Sequence, residues 1–293
     1  MTDFFKYHGL GNDYLVLEPR RFVAPPSPEA VRKLCGRHRG IGSDGILWGP
    51  LEDLPGADVP QGAPGVRIFN PDGSEAEKSG NGLRIFARHL WIRKLVDGKR
   101  FAIATLGGTV EARVLDEAGA RIAIDMGQVR FVSGAVPMTG PPREVLRETL
   151  EAGGESWTIN AAHVGNPHCV VLVESPAPEL ARRVGPSIEH HPAFPNRTNV
   201  QFMAAEGEHA VRIEIWERGA GYTEASGTSS CAAAAVACRL GLCRSPVTVR
   251  MPGGNLSVEL DESYRAVLTG PVAAVGSGEL SAEFLAELGL QRR

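Results

Sequence analysis

Two glycine-rich stretches that lie 147 residues apart in a chain of 293 read alike. The first is Asn70-Pro71-Asp72-Gly73-Ser74-Glu75-Ala76-Glu77-Lys78-Ser79-Gly80-Asn81-Gly82. The second is Glu217-Arg218-Gly219-Ala220-Gly221-Tyr222-Thr223-Glu224-Ala225-Ser226-Gly227-Thr228-Ser229. In each, a strand pattern precedes the stretch, Glu-x-Ser-Gly closes it, and a helix pattern follows. A spacing of half the chain predicts two similar domains that open a helix at the same place. At about 150 residues apiece, each copy is large enough to build its own core without disulfides.

The repeat also predicts where a ligand sits. A helix N-terminus presents unpaired backbone N–H groups and a partial positive charge. Ser-Gly at that point lets an anion approach the backbone closely. Two such ends facing each other would hold one small carboxylate from both sides. Arg218 follows a strand, beside Glu217; an arginine clamps a carboxylate through two parallel hydrogen bonds, and the glutamate suits an ammonium. Asn12, Asn70, Asn166 and Asn199 stand in Gly- or Pro-flanked turns, where asparagine is also an ordinary turn former. Together with the Arg-Glu pair they suit a zwitterion. His168 reads either as a base or orienting donor, or as a satisfied buried histidine. His190-His191 has no third ligand in sight, so no metal is expected. Gly9-x-Gly11 and Gly40-x-Gly42 fall short of a dinucleotide fingerprint.

Composition narrows the class. With 31 basic and 34 acidic residues the net charge is −3, which lacks the basic excess of a nucleic-acid binder. At 43% hydrophobic residues the chain is not disordered. No signal-peptide pattern and no apolar run of membrane length stand out, so a cytoplasmic protein without membrane contact is expected. The five cysteines, Cys35, Cys169, Cys231, Cys238 and Cys243, are too irregular for a disulfide framework or a zinc motif and are expected to be buried thiols.

Strand patterns fall at residues 4–7, 14–17, 46–48, 66–69, 101–105, 109–114, 121–126, 168–173, 200–203, 210–216, 247–251, 256–260 and 266–269. Helical spacing marks residues 83–95 and 229–240. Shorter helices are expected after the Ser27-Pro28 start, near 179–184, and over 281–288 with Ser281 as cap. Residues 50–65 and 128–160 read as irregular. Many short strands with two prominent helices predict an α+β chain.

These residues resemble the diaminopimelate epimerase family. The matching stretches are Lys6-Tyr7-His8-Gly9-Leu10-Gly11-Asn12-Asp13, Gly40-Ile41-Gly42-Ser43-Asp44-Gly45, Phe69-Asn70-Pro71-Asp72-Gly73-Ser74-Glu75 and Gly80-Asn81-Gly82. Gly165-Asn166-Pro167-His168-Cys169, Asn199-Val200-Gln201-Phe202-Met203, Glu217-Arg218-Gly219-Ala220-Gly221 and Pro252-Gly253-Gly254 continue the series. The resemblance implies two pseudo-symmetric domains, each a rolled mixed sheet around a central helix. Their expected bounds are 1–127 plus 275–293, and 128–274. It also implies a cleft between the domains, a homodimer, no cofactor, and inversion of the α-carbon of LL-diaminopimelate by two bases. Asn12, Asn70, Asn166, His168, Asn199, Glu217 and Arg218 would bind this zwitterionic substrate. The N–H groups at Gly80-Asn81 and Gly227-Thr228 would hold the reacting carboxylate.

One departure bears on the chemistry. The family places cysteine at the two positions that here read Ser79 and Ser226, and glutamate where Tyr222 stands. A thiol of pKa about 8.5 costs about 2 kcal/mol to ionise at pH 7. A hydroxyl of pKa on the order of 15 costs roughly 11 kcal/mol at about 1.36 per unit. A helix N-terminus contributes about 1–2 kcal/mol, well short of the difference. Three readings follow. The chain is an epimerase with Ser79 and Ser226 at the catalytic positions, aided by Glu77, Glu224 or His168. Or it is another isomerase, racemase or dehydratase on the same scaffold, using Lys78 or Tyr222. Or it is a catalytically silent binder of a small zwitterion.

Overall fold

The computed structural model describes residues 2–57 and 59–293. The chain divides into two compact units, Met1–Ile124 with Gly270–Arg293, and Asp125–Thr269. In chain order the first contributes β1 (Phe4–Gly9), β2 (Asn12–Leu17), α1 (Pro28–Cys35), β3 (Ile46–Leu51), β4 (Gly65–Phe69), β5 (Glu75–Ala76), α2 (Gly80–Ile92), β6 (Arg100–Thr105), β7 (Gly108–Val114) and β8 (Arg121–Gln128). Next come β9 (Glu148–Ala152), β10 (Glu155–His163), β11 (Pro167–Leu172), α3 (Pro178–Glu189), β12 (Asn199–Ala205), β13 (Ala210–Glu217), β14 (Gly221–Thr223), α4 (Gly227–Arg239), β15 (Val247–Met251), β16 (Gly254–Leu260) and β17 (Arg265–Pro271). The chain closes with β18 (Ala273–Gly278) and α5 (Ala282–Leu288). Both changeovers between units fall inside strands, β8 and β17, so no Gly- or Pro-rich linker marks them.

Each unit repeats one topology. In the first, β1–β2 is antiparallel, β2–β3 parallel, β3–β4 antiparallel, β4–β6 parallel and β6–β7–β8 antiparallel. In the second, β10–β11, β11–β12, β12–β13, β13–β15 and β15–β16–β17 follow the same sequence of directions. A short strand, β5 or β14, pairs with the strand before it and leads into the long helix. The outermost strand of each, β18 or β9, is antiparallel to β1 or β10.

The long helix is central in each unit for a compositional reason. Cys231 and Ala232 through Ala237 of α4 are all fully buried, so α4 is apolar around its circumference, as a helix enclosed on all sides must be. Its small side chains let β10, β11, β12, β13, β15 and β16 pack around it. α2 packs likewise against β1, β2, β3 and β7. The outer sheet faces carry separate cores. In the first unit Leu15, Leu17, Ile46 and Trp48 meet Val31 and Leu34 of α1 and Leu285 and Leu288 of α5. In the second, Ile159, Val171 and Phe202 meet Ala181, Val184 and Ile188 of α3.

Most expected elements are present, and the differences have physical causes. Residues 128–160, expected to be irregular, hold β9 and the start of β10. Only Leu150 and Ala152 face the core along β9, too short an alternation to stand out, and Gly153-Gly154, both at positive φ, form the two-residue hairpin turn that marks it. β18 has a Gly-rich, mostly exposed sequence with no apolar signature; its pairing with β1 defines it. The helices expected at 83–95 and 229–240 begin at Gly80 and Gly227. Four of the five thiols are buried, and Cys238 is half-buried. Among the described residues, no helix is long and apolar enough to cross a membrane.

Candidate active site

Ser79 and Ser226 occupy the same structural position. Each is the N-cap of the central helix of its unit, with φ/ψ of −139/119° and −147/127°. The Ser79 Oγ accepts from Gly82 N at 3.1 Å, and the Ser226 Oγ accepts from Ser229 N at 3.4 Å. A hydroxyl here satisfies one of the orphan donors of a helix start. The first N–H groups of each helix, at Gly80-Asn81 and Gly227-Thr228, lie ahead of the intrahelical ladder, in the position that suits an anion.

In the first unit the side chains converge on the start of α2. Asn81 Nδ2 donates to Asn12 Oδ1 at 3.0 Å, and Asn12 Nδ2 donates to Asp44 Oδ2 at 3.0 Å. The fully buried Arg84 donates to Asn81 Oδ1 at 2.7 Å and to Gly80 O at 3.2 Å. Thus a guanidinium supports the first turn of α2 from below, and Asn12 is oriented at both ends. The Ser79 hydroxyl meets the phenol of Tyr14 at 3.1 Å. Tyr14 is buried on β2, and its ring lies over Gly45, where an added Cβ would stand 2.5 Å from Cε1. Asn70 follows β4 and is engaged in its own turn, donating to Ser74 Oγ at 3.0 Å.

In the second unit, His168 Nε2 lies 2.7 Å from Asn166 Oδ1. His168 is fully buried, and desolvation drives its pKa down to about 3, with Gln201 opposing the shift. The ring is therefore neutral. Its Nδ1 and the Gln201 Oε1 are both buried without a hydrogen-bond partner, while Gln201 Nε2 donates to Ser229 Oγ at 3.0 Å. With the Gln201 amide turned the other way, Nε2 would donate to Nδ1 and Oε1 would accept the Ser229 hydroxyl, pairing every group. This chain links His168 to the first turn of α4. Asn199 donates to Pro167 O at 2.9 Å and accepts from Arg218 N at 3.0 Å. It thus ties the backbone of Arg218, whose side chain is exposed, to the start of β11. Glu217 is half-buried at the end of β13.

Other candidates lie elsewhere. Tyr222 is cross-strand to Trp216 and packs with it on the core beneath α3. Its hydroxyl donates to Glu214 at 2.8 Å, and Arg182 of α3 stacks on its ring, 3.9 Å from the centroid. Burial and the Glu214 carboxylate push the phenol up to about 12. Period-two alternation along β13–β14 places Tyr222 on the α3 face, away from α4, which overturns the expectation that it serves as a base there. Glu77 and Glu224 are exposed. His190 and His191 engage local backbone, Pro186 O and Ala193 N. Burial also raises the thiols of Cys35, Cys169, Cys238 and Cys243.

Tyr14, Arg84 and Gln201 escaped sequence reasoning. One signal for the first was present: Gly11-Asn12-Asp13-Tyr14 and Gly165-Asn166-Pro167-His168 place a titratable ring two residues after the turn asparagine in both halves. Arg84 sits inside an apolar helical pattern, and Gln201 inside a strand.

A family model described as diaminopimelate epimerase matches residues 4–132 and 160–275. The chain is 50% identical over 283 residues, covering 97% of each protein, to diaminopimelate epimerase 2 of Nostoc sp.. It is 41% identical over 280 residues, 94% of this chain and 98% of the relative, to the diaminopimelate epimerase of Pelotomaculum thermopropionicum. Among solved structures, a probable proline racemase from Agrobacterium radiobacter superposes with a TM-score of 0.68 at 16% identity, covering 96% of this chain and 93% of that one. A hydroxyproline epimerase from Agrobacterium vitis gives 0.67 at 17% identity, covering 94% and 91%. At these identities the likeness is one of fold.

Proposed function

Because the chain belongs to the diaminopimelate epimerase family, a family of isomerases, we propose that it inverts the α-carbon of a zwitterionic amino acid without a cofactor, with LL-diaminopimelate as the first substrate to test. The observation that carries this reading is the matched placing of Ser79 and Ser226 at the N-caps of two equivalent helices. In the proposed reaction a base on one face of the α-carbon removes its proton, and an acid on the other face returns one. Stabilising the negative charge that develops toward the substrate carboxylate is assigned to the helix N–H groups at Gly80-Asn81 and Gly227-Thr228. Asn12, Asn70, Asn166, His168, Asn199, Glu217 and Arg218 are assigned to holding the substrate. A cytoplasmic homodimer is the proposed setting.

A second reading rests on the caps themselves. Both hydroxyls accept a helix N–H, which gives serine a structural reason to stand at each position and fits a silent zwitterion binder. One experiment separates the two. The protein is incubated with LL-diaminopimelate in deuterated water and α-deuterium is followed by NMR. Exchange that disappears in Ser79→Ala and Ser226→Ala supports the epimerase. Calorimetric binding with no exchange supports the binder. Exchange that survives both substitutions removes the serines from the mechanism.

A further inference from the structure

The serine at the start of α2 is not alone. Its Oγ accepts one backbone N–H, from Gly82 at 3.1 Å, and meets the Tyr14 phenol at 3.1 Å. Tyr14 and Ser79 are 65 residues apart in sequence, on β2 and at the cap of α2. The contact is built from both sides. Gly45 N–Cα–C lies against the ring, and any side chain there would collide with Cε1 at 2.5 Å and Cδ1 at 3.0 Å. Tyr7 of β1 is the cross-strand neighbour of Tyr14. The adjacent Asp13 points to the other face, where Lys6 and Arg37 hold it at 2.8 Å each. The corresponding position of the second unit carries His168, so each half sets a titratable ring two residues after its turn asparagine.

We infer that Tyr14 is a positioning residue for proton transfer at Ser79: the two hydroxyls act as a dyad in which the serine faces the ligand and the phenol holds the exchangeable proton. This rests on the epimerase reading above. A phenol ionises near pH 10, on the order of five units below a hydroxyl with the acidity of water, so the dyad carries its charge on Tyr14. In its basic form Tyr14 is a phenolate that accepts the Ser79 hydroxyl proton. As Ser79 Oγ takes the substrate's α-proton, it passes its own proton to the phenolate. The dyad ends as two neutral hydroxyls, and the electron pair of the broken C–H bond stays on the substrate. Run backwards, the same step delivers a proton to the α-carbon.

Three measurements on the full-length protein test the dyad. In the resting protein, the Tyr14 ¹³Cζ resonance should move on Ser79→Ala, and its absence of response overturns the pairing whatever the activity. In α-deuterium exchange, Tyr14→Phe should lower kcat by about 100-fold or more and leave KM within about twofold of wild type. The double variant with Ser79→Ala should lose no more than either single one, because residues that act as a unit are not additive. Replacing Tyr14 with a fluorotyrosine, whose phenol is more acidic, should shift the rising limb of the pH–rate profile, where the phenolate forms, to lower pH. Tyr14→Phe with wild-type exchange, additive losses, or a fluorotyrosine profile that does not move each overturns the role of Tyr14 while leaving the epimerase reading intact. A wild type that exchanges no amino acid overturns that reading, and the role of Tyr14 with it.

Discussion

The imidazole Nε2 of His168 lies 2.7 Å from Oδ1 of Asn166. An amide oxygen only accepts, so Nε2 carries the proton and Nδ1 holds a lone pair. The ring is fully buried, and desolvation takes its pKa from 6.5 to about 3. Its ¹⁵N resonances are expected to stay those of a neutral imidazole from pH 8 to pH 5, and a midpoint near 6.5 would contradict the assignment. A histidine depressed in the folded state protonates first in the unfolded chain, so its contribution to stability is full above pH 6.5. It is lost as pH falls toward 3, at about 1.4 kcal/mol per pH unit. Urea unfolding at pH 7, 6 and 5 should show this slope, and His168→Gln should flatten it.

The two caps predict a stability effect separate from chemistry. Ser79→Ala and Ser226→Ala should each destabilise the fold by about 1 kcal/mol. The effect should be smaller at Ser226, whose capping bond is 3.4 Å against 3.1 Å at Ser79. The double substitution Ser79→Cys with Ser226→Cys should instead raise α-deuterium exchange by about tenfold or more, since a helix N-terminus lowers a thiol's pKa. A double-cysteine protein that exchanges no faster than wild type would place the limit on turnover outside these two positions.

Glu18, which follows β2, His89 of α2 and Tyr7 of β1 form a buried network. Tyr7 Oη lies 3.2 Å from His89 Nδ1, and His89 Nε2 lies 3.1 Å from Glu18 Oε1; Arg20 pairs with the other carboxylate oxygen at 2.7 Å. Burial alone would push Glu18 up, but hydrogen bonds from His89 and Arg20 outweigh it and hold its pKa at about 2. A carboxylate depressed in this way contributes stability above pH 4.5 that is lost as pH falls through about 2. Glu18→Gln is expected to cost about 3 kcal/mol at pH 7. Its unfolding free energy should converge with that of wild type near pH 2, which denaturant titrations at pH 7, 4 and 2.5 would check.

Tyr222 offers a contrast with Tyr14. Its hydroxyl is committed to Glu214 at 2.8 Å, on the face covered by α3. Tyr222→Phe should leave α-deuterium exchange within about twofold of wild type and cost about 1–3 kcal/mol of stability by unpairing the buried Glu214. A large loss of exchange with unchanged stability would bring Tyr222 back into the reaction.

The duplication, the central helices, both serine caps and most strands were legible in the sequence, because each is written locally: a repeat at half the chain length, a Ser-Gly before an apolar run, an alternation of period two. β9, β10, β18 and the two short strands β5 and β14 were not, because they carry too few large apolar residues to show an alternation and only pairing with neighbouring strands defines them. The site divides the same way. Ser79, Ser226 and the turn asparagines stand in motifs that can be read one residue at a time. Whether an asparagine faces a ligand or a neighbour could not be read so: Asn12 and Asn199 both spend two groups on protein partners. The sequence by itself determined that this is a duplicated chain that opens the long helix of each half on a serine. Only the tertiary structure decided which groups those hydroxyls meet. A parallel β2–β3 pair with a glycine at residue 45 brings the Tyr14 phenol to Ser79, and sheet register turns Tyr222 to the opposite face. Hydrogen-bond partners 65 residues apart are selected by packing, and no local periodicity encodes them.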